Sequence, residues 1–285
     1  RVDRRQRQMC IRDRYRRIRN TFRFIMGNLN DFDEKSNNVN KNDLVEIDKW
    51  IINEAIKLHE EVQKLNDNYA YHHVIQKIHN FCVHELGGVY LDIIKDRMYV
   101  TKSNSYVRRS AQFALFEVAE ILIRLISPIL VFTAEEIWQS HELFKKQSVS
   151  IFMASQKVLS EIESSISDED WKKIFAVKDA VNQSIEKARA DSVVKGSLDS
   201  KISISCDKKT FKALQKIEDE LKFVFISSEV EIAESSSSRL DIEVTNFDQK
   251  KCIRCWNKCS SVGLYAEDPE ICSRCYTNVY GDGEI

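Results

Sequence analysis

The sequence is poor in residues that break a chain. Only two prolines and seven glycines occur in 285 residues, so tight turns are few and long helices are the expected texture. No apolar run reaches the roughly 18–20 residues that a helical membrane span requires. The amino terminus lacks an apolar signal region followed by a small-residue cleavage site, which argues against an oxidising compartment and a disulfide framework. The expectation is a soluble, cytoplasmic protein with no membrane partner. A formal charge of -1 conceals an asymmetry, because residues 1–23 hold ten arginines against two aspartates. The length exceeds one average domain, so more than one module is expected.

What is abundant is cysteine in one place. Of eight cysteines, Cys10, Cys82 and Cys206 are scattered, and five crowd into KCIRCWNKCSSVGLYAEDPEICSRC. Four of these form two C-x-x-C pairs, Cys252/Cys255 and Cys272/Cys275, with sixteen residues between the pairs. That is zinc spacing: each two-residue gap lets a tight turn aim both sulfurs at one tetrahedral centre. A redox dithiol needs only one such pair and a βαβ context. Four thiolates close the coordination sphere, so the expected zinc is structural and leaves no position for substrate. Cys259 fits neither pair. So short a segment has few large apolar side chains, and metal binding must supply its folding energy, about 10–16 kcal/mol in zinc-finger peptides. Its surface carries Lys250, Lys251, Arg254, Lys258 and Arg274 among Trp256, Tyr265 and Tyr276. Such a mixture suits an unpaired nucleic-acid strand, stacking bases on rings while cations meet phosphates. Equally, Trp256 can cap the turn and the cations form a solvated rim; composition leaves both readings open.

The rest of the chain is mainly α. YRRIRNTFRFIMGNLNDFD reads as a first helix from Tyr15, with Ile18, Phe22, Ile25 and Leu29 on one face and Arg16, Arg17, Arg19 and Arg23 on the others. Residues 43–65 give a second helix, 71–90 a third that stops near Gly87 and Gly88, and 105–126 a fourth with Ala111, Leu115, Val118 and Leu122 buried. Thr133 and Glu136 predict a capping box for a short helix through Trp138. Together these form an antiparallel helical bundle, residues 14–150. Residues 151–247 read as a linker and a small α/β module, with helices over 171–190 and 211–221. Its strands are expected at KISISC (201–206), 223–232 and 240–244. Ser235–Ser238 is a loop by composition. Residues 248–285 form the zinc domain.

In combination and order, several stretches resemble the tRNA-recognising part of bacterial isoleucyl-tRNA synthetases, class I enzymes. They are the YRRIRN helix, FCVHELGGVYLDIIKDRMY, VRRSAQFAL with SPILVFTAEEIW, IEKARADSVVKGSLDS, and the paired knuckles ending in NVYGDGE. The resemblance implies an anticodon-binding bundle followed by a zinc domain that meets the anticodon loop of the isoleucine tRNA. It places Arg254 and Trp256 on anticodon bases, and the arginines Arg16, Arg17, Arg19 and Arg23 suit the phosphate backbone, some of them serving intramolecular carboxylates instead. No HIGH-type or KMSKS-type sequence, nucleotide-binding half or editing domain is found. The expectation is a carboxyl-terminal fragment, inactive alone, of an enzyme that joins isoleucine to its tRNA with ATP and Mg2+. Residues 1–13 do not match what precedes that helix in the family; they read as a foreign lead, and Cys10 is assigned no function.

Other residues have plainer readings. Cys82 and His84 lie on a helix without two further ligands, which favours core packing. His72, His73 and His79 lack a carboxylate or nucleophile partner. Asp92 and Asp96, beside Lys95 and Arg97, read as a helix-end charge network. Two other functions compete. A DNA-repair glycosylase of the formamidopyrimidine family ends in a similar knuckle, but it needs an amino-terminal proline where this chain reads Arg1-Val2-Asp3, and DNA is not an expected partner. A stand-alone zinc-dependent RNA-binding protein derived from the synthetase remains the alternative. Valine and leucine synthetases share the bundle but not the paired knuckles.

Overall fold

A computed structural model describes residues 4–33, 39–155, 157–235 and 239–283, with side chains from residue 11 onward. Ser236–Ser238 of the serine cluster and most of the lead's side chains lie outside these. The chain packs as two compact units, Arg1–Asp92 with Tyr106–Glu163, and Ile93–Ser105 with Ser164–Ile285. It is mostly helical with one small sheet.

The first unit is a helical bundle. It contains α1 (Arg4–Asn28), α2 (Glu46–Asp67), α3 (Tyr71–Phe81), α5 (Tyr106–Ile126), α6 (Val131–Ser140) and the short α7 (Glu142–Lys145), and α4 (Leu91–Val100) begins there. Helix α5 is its axis. Nearly every residue from Arg109 to Ile126 is buried, as expected of a helix apolar on all sides. Ile18, Phe22, Ile25 and Leu29 of α1 are buried as the period predicts. The sequence-predicted capping box is absent: α6 starts at Val131 without a side-chain cap. Thr133 lies inside it, 3.2 Å from the Tyr15 hydroxyl, and Glu136 grips Arg19. A tertiary ion pair claimed the glutamate that a local cap would use.

The glycine pair does not stop the third helix; it widens it. Residues Cys82–Tyr90 form a π-helix that runs directly into α4. A Cβ on Gly87 would stand 3.0 Å from the Cys82 carbonyl oxygen, and one on Gly88 3.2 Å from that of Val83. Those carbonyls are five residues back, which is where the wider turn brings them. Past this widening, the Tyr90 hydroxyl donates to Asp48 Oδ1 at 2.7 Å, and Ser110 donates to Oδ2 at 2.6 Å. Asp48 is fully buried, so these bonds offset its desolvation.

The second unit holds α8 (Asp168–Ala190), β1 (Ser200–Cys206), α9 (Lys208–Gln215), α10 (Leu221–Val224), β2 (Glu229–Glu234), β3 (Asp241–Asn246) and α11 (Ser273–Tyr280). The sheet order is β2-β1-β3, with β1 parallel to β2 and antiparallel to β3. Ile202 pairs with Val230 and Val244, and Ile204 with Ile232 and Ile242. Ser200, Ile202, Ile204 and Cys206 are buried, the alternation that KISISC predicts. Helix α8 starts where Ser167 Oγ accepts the Asp170 amide at 3.2 Å, with Asp168, Glu169 and Asp170 in its first turn. The apolar run 223–232 is not one strand. Its first residues close α10, where Lys178 Nζ donates to the Val224 carbonyl at 2.5 Å, and the backbone turns left-handed at Ile226 before β2. Helix α9 opens earlier than the period suggests because the Asp207 carboxylate caps it.

Candidate metal centre and nucleic-acid interface

The first knuckle is a hairpin in miniature. The Trp256 amide donates to the Cys252 carbonyl at 3.0 Å, the Cys252 amide to the Asn257 carbonyl at 2.9 Å, and Lys251 bridges to Lys258. Cys272 precedes α11 and Cys275 lies in its first turn, so a helix start builds the second knuckle. The Ile253 amide donates to the Glu270 carbonyl at 3.1 Å and joins the two.

The four sulfurs Cys252, Cys255, Cys272 and Cys275 are all buried, and all lie within 4.8 Å of one another. Cys255 and Cys272 Sγ are 3.7 Å apart. A tetrahedral site with metal–sulfur bonds of about 2.3 Å has sulfurs about 3.8 Å apart, so the set has the right chemistry and nearly the right size for zinc. The Cys272 amide donates to Cys252 Sγ at 3.3 Å, a bond that orients a thiolate ligand. Thiol–thiol contacts make the four sulfurs unequal. Cys255 is held well below the usual thiol range by hydrogen bonds from Cys272 and Cys275, whereas Cys275 is pushed up to about 12 through its bond to Cys255. Val100, Val262 and Ile271 complete the small apolar cluster around the sulfurs, and Cys259 packs on its edge, 3.4 Å from Ser261 Oγ.

Trp256 is 63% exposed and sits in the left-handed region at φ 65°. A bulky residue there is strained, and the strained turn projects an indole into solvent. Arg254 is half-buried, and its Nη1 donates to the Val100 carbonyl at 2.5 Å. The other expected surface cations are largely engaged within the protein. Lys251 pairs with Asp199 at 3.1 Å, Lys258 donates to Asn246 at 2.9 Å, and Arg274 binds Asp96 through two bonds of 3.1 and 2.5 Å. Tyr265 and Tyr276 stack on each other at 3.8 Å, so each covers one face of the other.

In the first unit, Arg16, Arg17, Arg19 and Arg23 are all exposed. Arg19 makes a bidentate pair with Glu136 at 2.8 and 2.7 Å and donates to Tyr15 at 3.1 Å, which raises its pKa and lowers that of Glu136. Arg16, Arg17 and Arg23 make no ion pair with any described residue. Helical spacing puts Arg12, Arg16, Arg19 and Arg23 on one stripe and Arg17 to its side.

Cys82 is buried and desolvation pushes its thiol up to about 12, while His84 is exposed. The four-sulfur set is the one metal-capable group found among the described residues. Asp96 has a partner beyond the expected helix-end network, since Arg274, which binds it through two bonds, lies 178 residues away. Sequence pattern carries no signal for that pair.

The family follows from comparison with known sequences. The model for the anticodon-binding domain of tRNA ligases matches residues 48–204, and a zinc-finger model found in FPG and IleRS matches residues 249–278. The chain belongs to the family of tRNA-ligase anticodon-binding domains.

Its relatives narrow the resemblance. It is 41% identical to the isoleucine–tRNA ligase of Pseudoalteromonas translucida over 284 residues, 95% of this chain and 30% of the relative. It is 40% identical to those of Alcanivorax borkumensis and Idiomarina loihiensis, again over 30% of each relative. The chain thus spans about 30% of the length of the curated relatives it matches. Among the described residues no helix is long and apolar enough to cross a membrane.

Proposed function

We propose that this chain is the tRNA-recognising part of an isoleucine–tRNA ligase, binding the anticodon of the isoleucine tRNA in the cytoplasm. One observation carries the reading: an exposed indole on a strained turn directly beside a buried four-thiol cluster. Packing gives no reason to hold a tryptophan that way, whereas an unpaired base has a face to stack on it. Four thiolates around Zn2+ carry a net charge of about -2, which the nearby arginines and lysines offset. The metal supplies shape and folding energy only.

Within this reading Arg254 keeps donors for a base edge, since a guanidinium has five N–H groups, of which one donates to the Val100 carbonyl and another reaches the Cys275 sulfur. Arg16, Arg17 and Arg23 offer charge to phosphates, and Arg19 shares its own with Glu136. Domain roles follow the sequence reading: a bundle over 14–150, a junction module over 151–247 and a zinc domain over 248–285. Joining isoleucine to tRNA with ATP and Mg2+ is expected only of a longer protein, and this chain alone is expected to be inactive in it. Neither DNA nor a membrane is an expected partner.

The test is binding of zinc-loaded protein to isoleucine tRNA and to a non-cognate tRNA at two salt concentrations. Salt-sensitive binding that favours the cognate supports the proposal. Equal binding to both would reduce the surface to a general electrostatic one and overturn the anticodon reading.

A further inference from the structure

The two knuckles carry the same internal residue. Both read C-x-R-C, as Cys252-Ile253-Arg254-Cys255 and Cys272-Ser273-Arg274-Cys275. Both arginines end on one helix: Arg254 donates to the Val100 carbonyl in the last turn of α4, and Arg274 chelates the Asp96 carboxylate one turn earlier. The end of α4 concentrates partial negative charge on its free carbonyls, which favours a guanidinium there. Arg274 also lies 4.8 Å over the Phe223 ring of α10, so it ties three segments together. Beyond α4, the Lys102 amide donates to Asn278 Oδ1 at 2.8 Å and its Nζ to the Gly281 carbonyl at 2.7 Å. The Val100 side chain enters the apolar cluster around the sulfurs.

We infer that residues 93–105 are a built-in part of the RNA-reading head, and that Asp96 is a positioning residue that aims Arg254 and Trp256 through Arg274. This rests on the reading of those two side chains as RNA contacts. A metal fixes the two knuckles to each other, but it does not fix their direction. The carboxylate of Asp96 does so, gripping the second knuckle while the Val100 carbonyl sets the first arginine.

The experiment compares the full chain with Asp96→Asn, Asp96→Ala, Trp256→Ala and the exchange Asp96→Arg with Arg274→Asp. Three readouts are needed: zinc per chain, iodide quenching of tryptophan fluorescence, and affinity for isoleucine tRNA. Quenching is selective, because Trp50, Trp138 and Trp171 are buried and Trp256 is 63% exposed. Asp96→Asn and Asp96→Ala should keep their zinc, change the quenching of Trp256 and bind RNA about fivefold more weakly, in line with a partly buried bidentate pair. The exchange should restore part of the affinity. Zinc loss from Asp96→Asn would show mere structural support and overturn the inference, as would unchanged quenching and RNA affinity in both Asp96 variants. Should Trp256→Ala bind RNA as tightly as the parent, the underlying RNA reading fails, whatever Asp96 does.

Discussion

Replacing Trp256 separates binding from stability, because its ring is 63% exposed and its backbone lies at φ 65°. Trp256→Ala removes little packing and leaves the strained φ in place, so the stability of the zinc-loaded protein should barely change. Trp256→Gly also removes the left-handed strain, worth about 1–3 kcal/mol for a non-glycine residue, and should stabilise the knuckle by the lower part of that range. Both variants lose the stacking face. At about 1–3 kcal/mol per stacked base, the tRNA dissociation constant should rise by roughly 5- to 150-fold in both. Trp256→Tyr keeps a ring and should recover most of the loss. The assay pairs filter binding at fixed salt with thermal unfolding and zinc stoichiometry on the same preparations. The reasoning fails if Trp256→Ala loses zinc or melts markedly earlier, since the indole would then be a cap on the knuckle. It fails equally if the glycine variant binds tRNA better than the alanine one by more than their stabilities explain.

Cys252→Ser should lower bound zinc and unfold the tail while leaving the helical signal of the bundle in place, as metal analysis and circular dichroism would show. Gly87→Ala should destabilise the first unit by about 1–3 kcal/mol, because its Cβ would meet a backbone oxygen at 3.0 Å. Gly27→Ala meets nothing within 4 Å and should stabilise α1 by about 0.5–1 kcal/mol in urea unfolding. Glu85 has a buried, unpartnered Oε2, and desolvation raises its pKa. For an acid with a raised folded pKa, stability is fully present below the unfolded value of about 4.3 and falls as pH rises towards the folded one. Glu85→Gln should therefore raise the melting temperature near neutral pH, with the gain vanishing in acid.

Local chemistry was legible in the sequence, and tertiary bookings of side chains were not. The Cys252/Cys255 and Cys272/Cys275 spacing announced the four-thiol cluster, and the helical period exposed the buried faces of α1 and α5. Glu136 misled because a capping box is a local pattern, and Arg19 reached it from 117 residues away. Gly87 and Gly88 read as a stop signal, yet glycine permits a widened helix as readily as a broken one. The β-rich letters of 223–225 went into a helix end sealed by a buried lysine from α8. The basic rim around the knuckles was visible as composition, while the intramolecular partners of Lys251, Lys258 and Arg274 and the exposure of Trp256 were not. Nothing in the letters of FCVHELGGVYLDIIKDRMY links them to the terminal cysteines.

The seat that α4 provides for the knuckles bears on the order in which the molecule assembles. Cys255 and Cys272 are 17 residues apart, whereas Asp96 and Arg274 are 178 apart. Closing a flexible loop costs about (3/2)RT ln n, roughly 2.5 kcal/mol for the short span and roughly 4.6 kcal/mol for the long one. The knuckles can thus close around a metal as soon as they leave the ribosome, on their own short loop. The α4 segment they dock on, synthesised long before, must await them, its Val100 and Asp96 uncovered meanwhile. A chain cut between 247 and 248 would keep that vigil permanently, with an apolar residue and a carboxylate left without the partners they fold against.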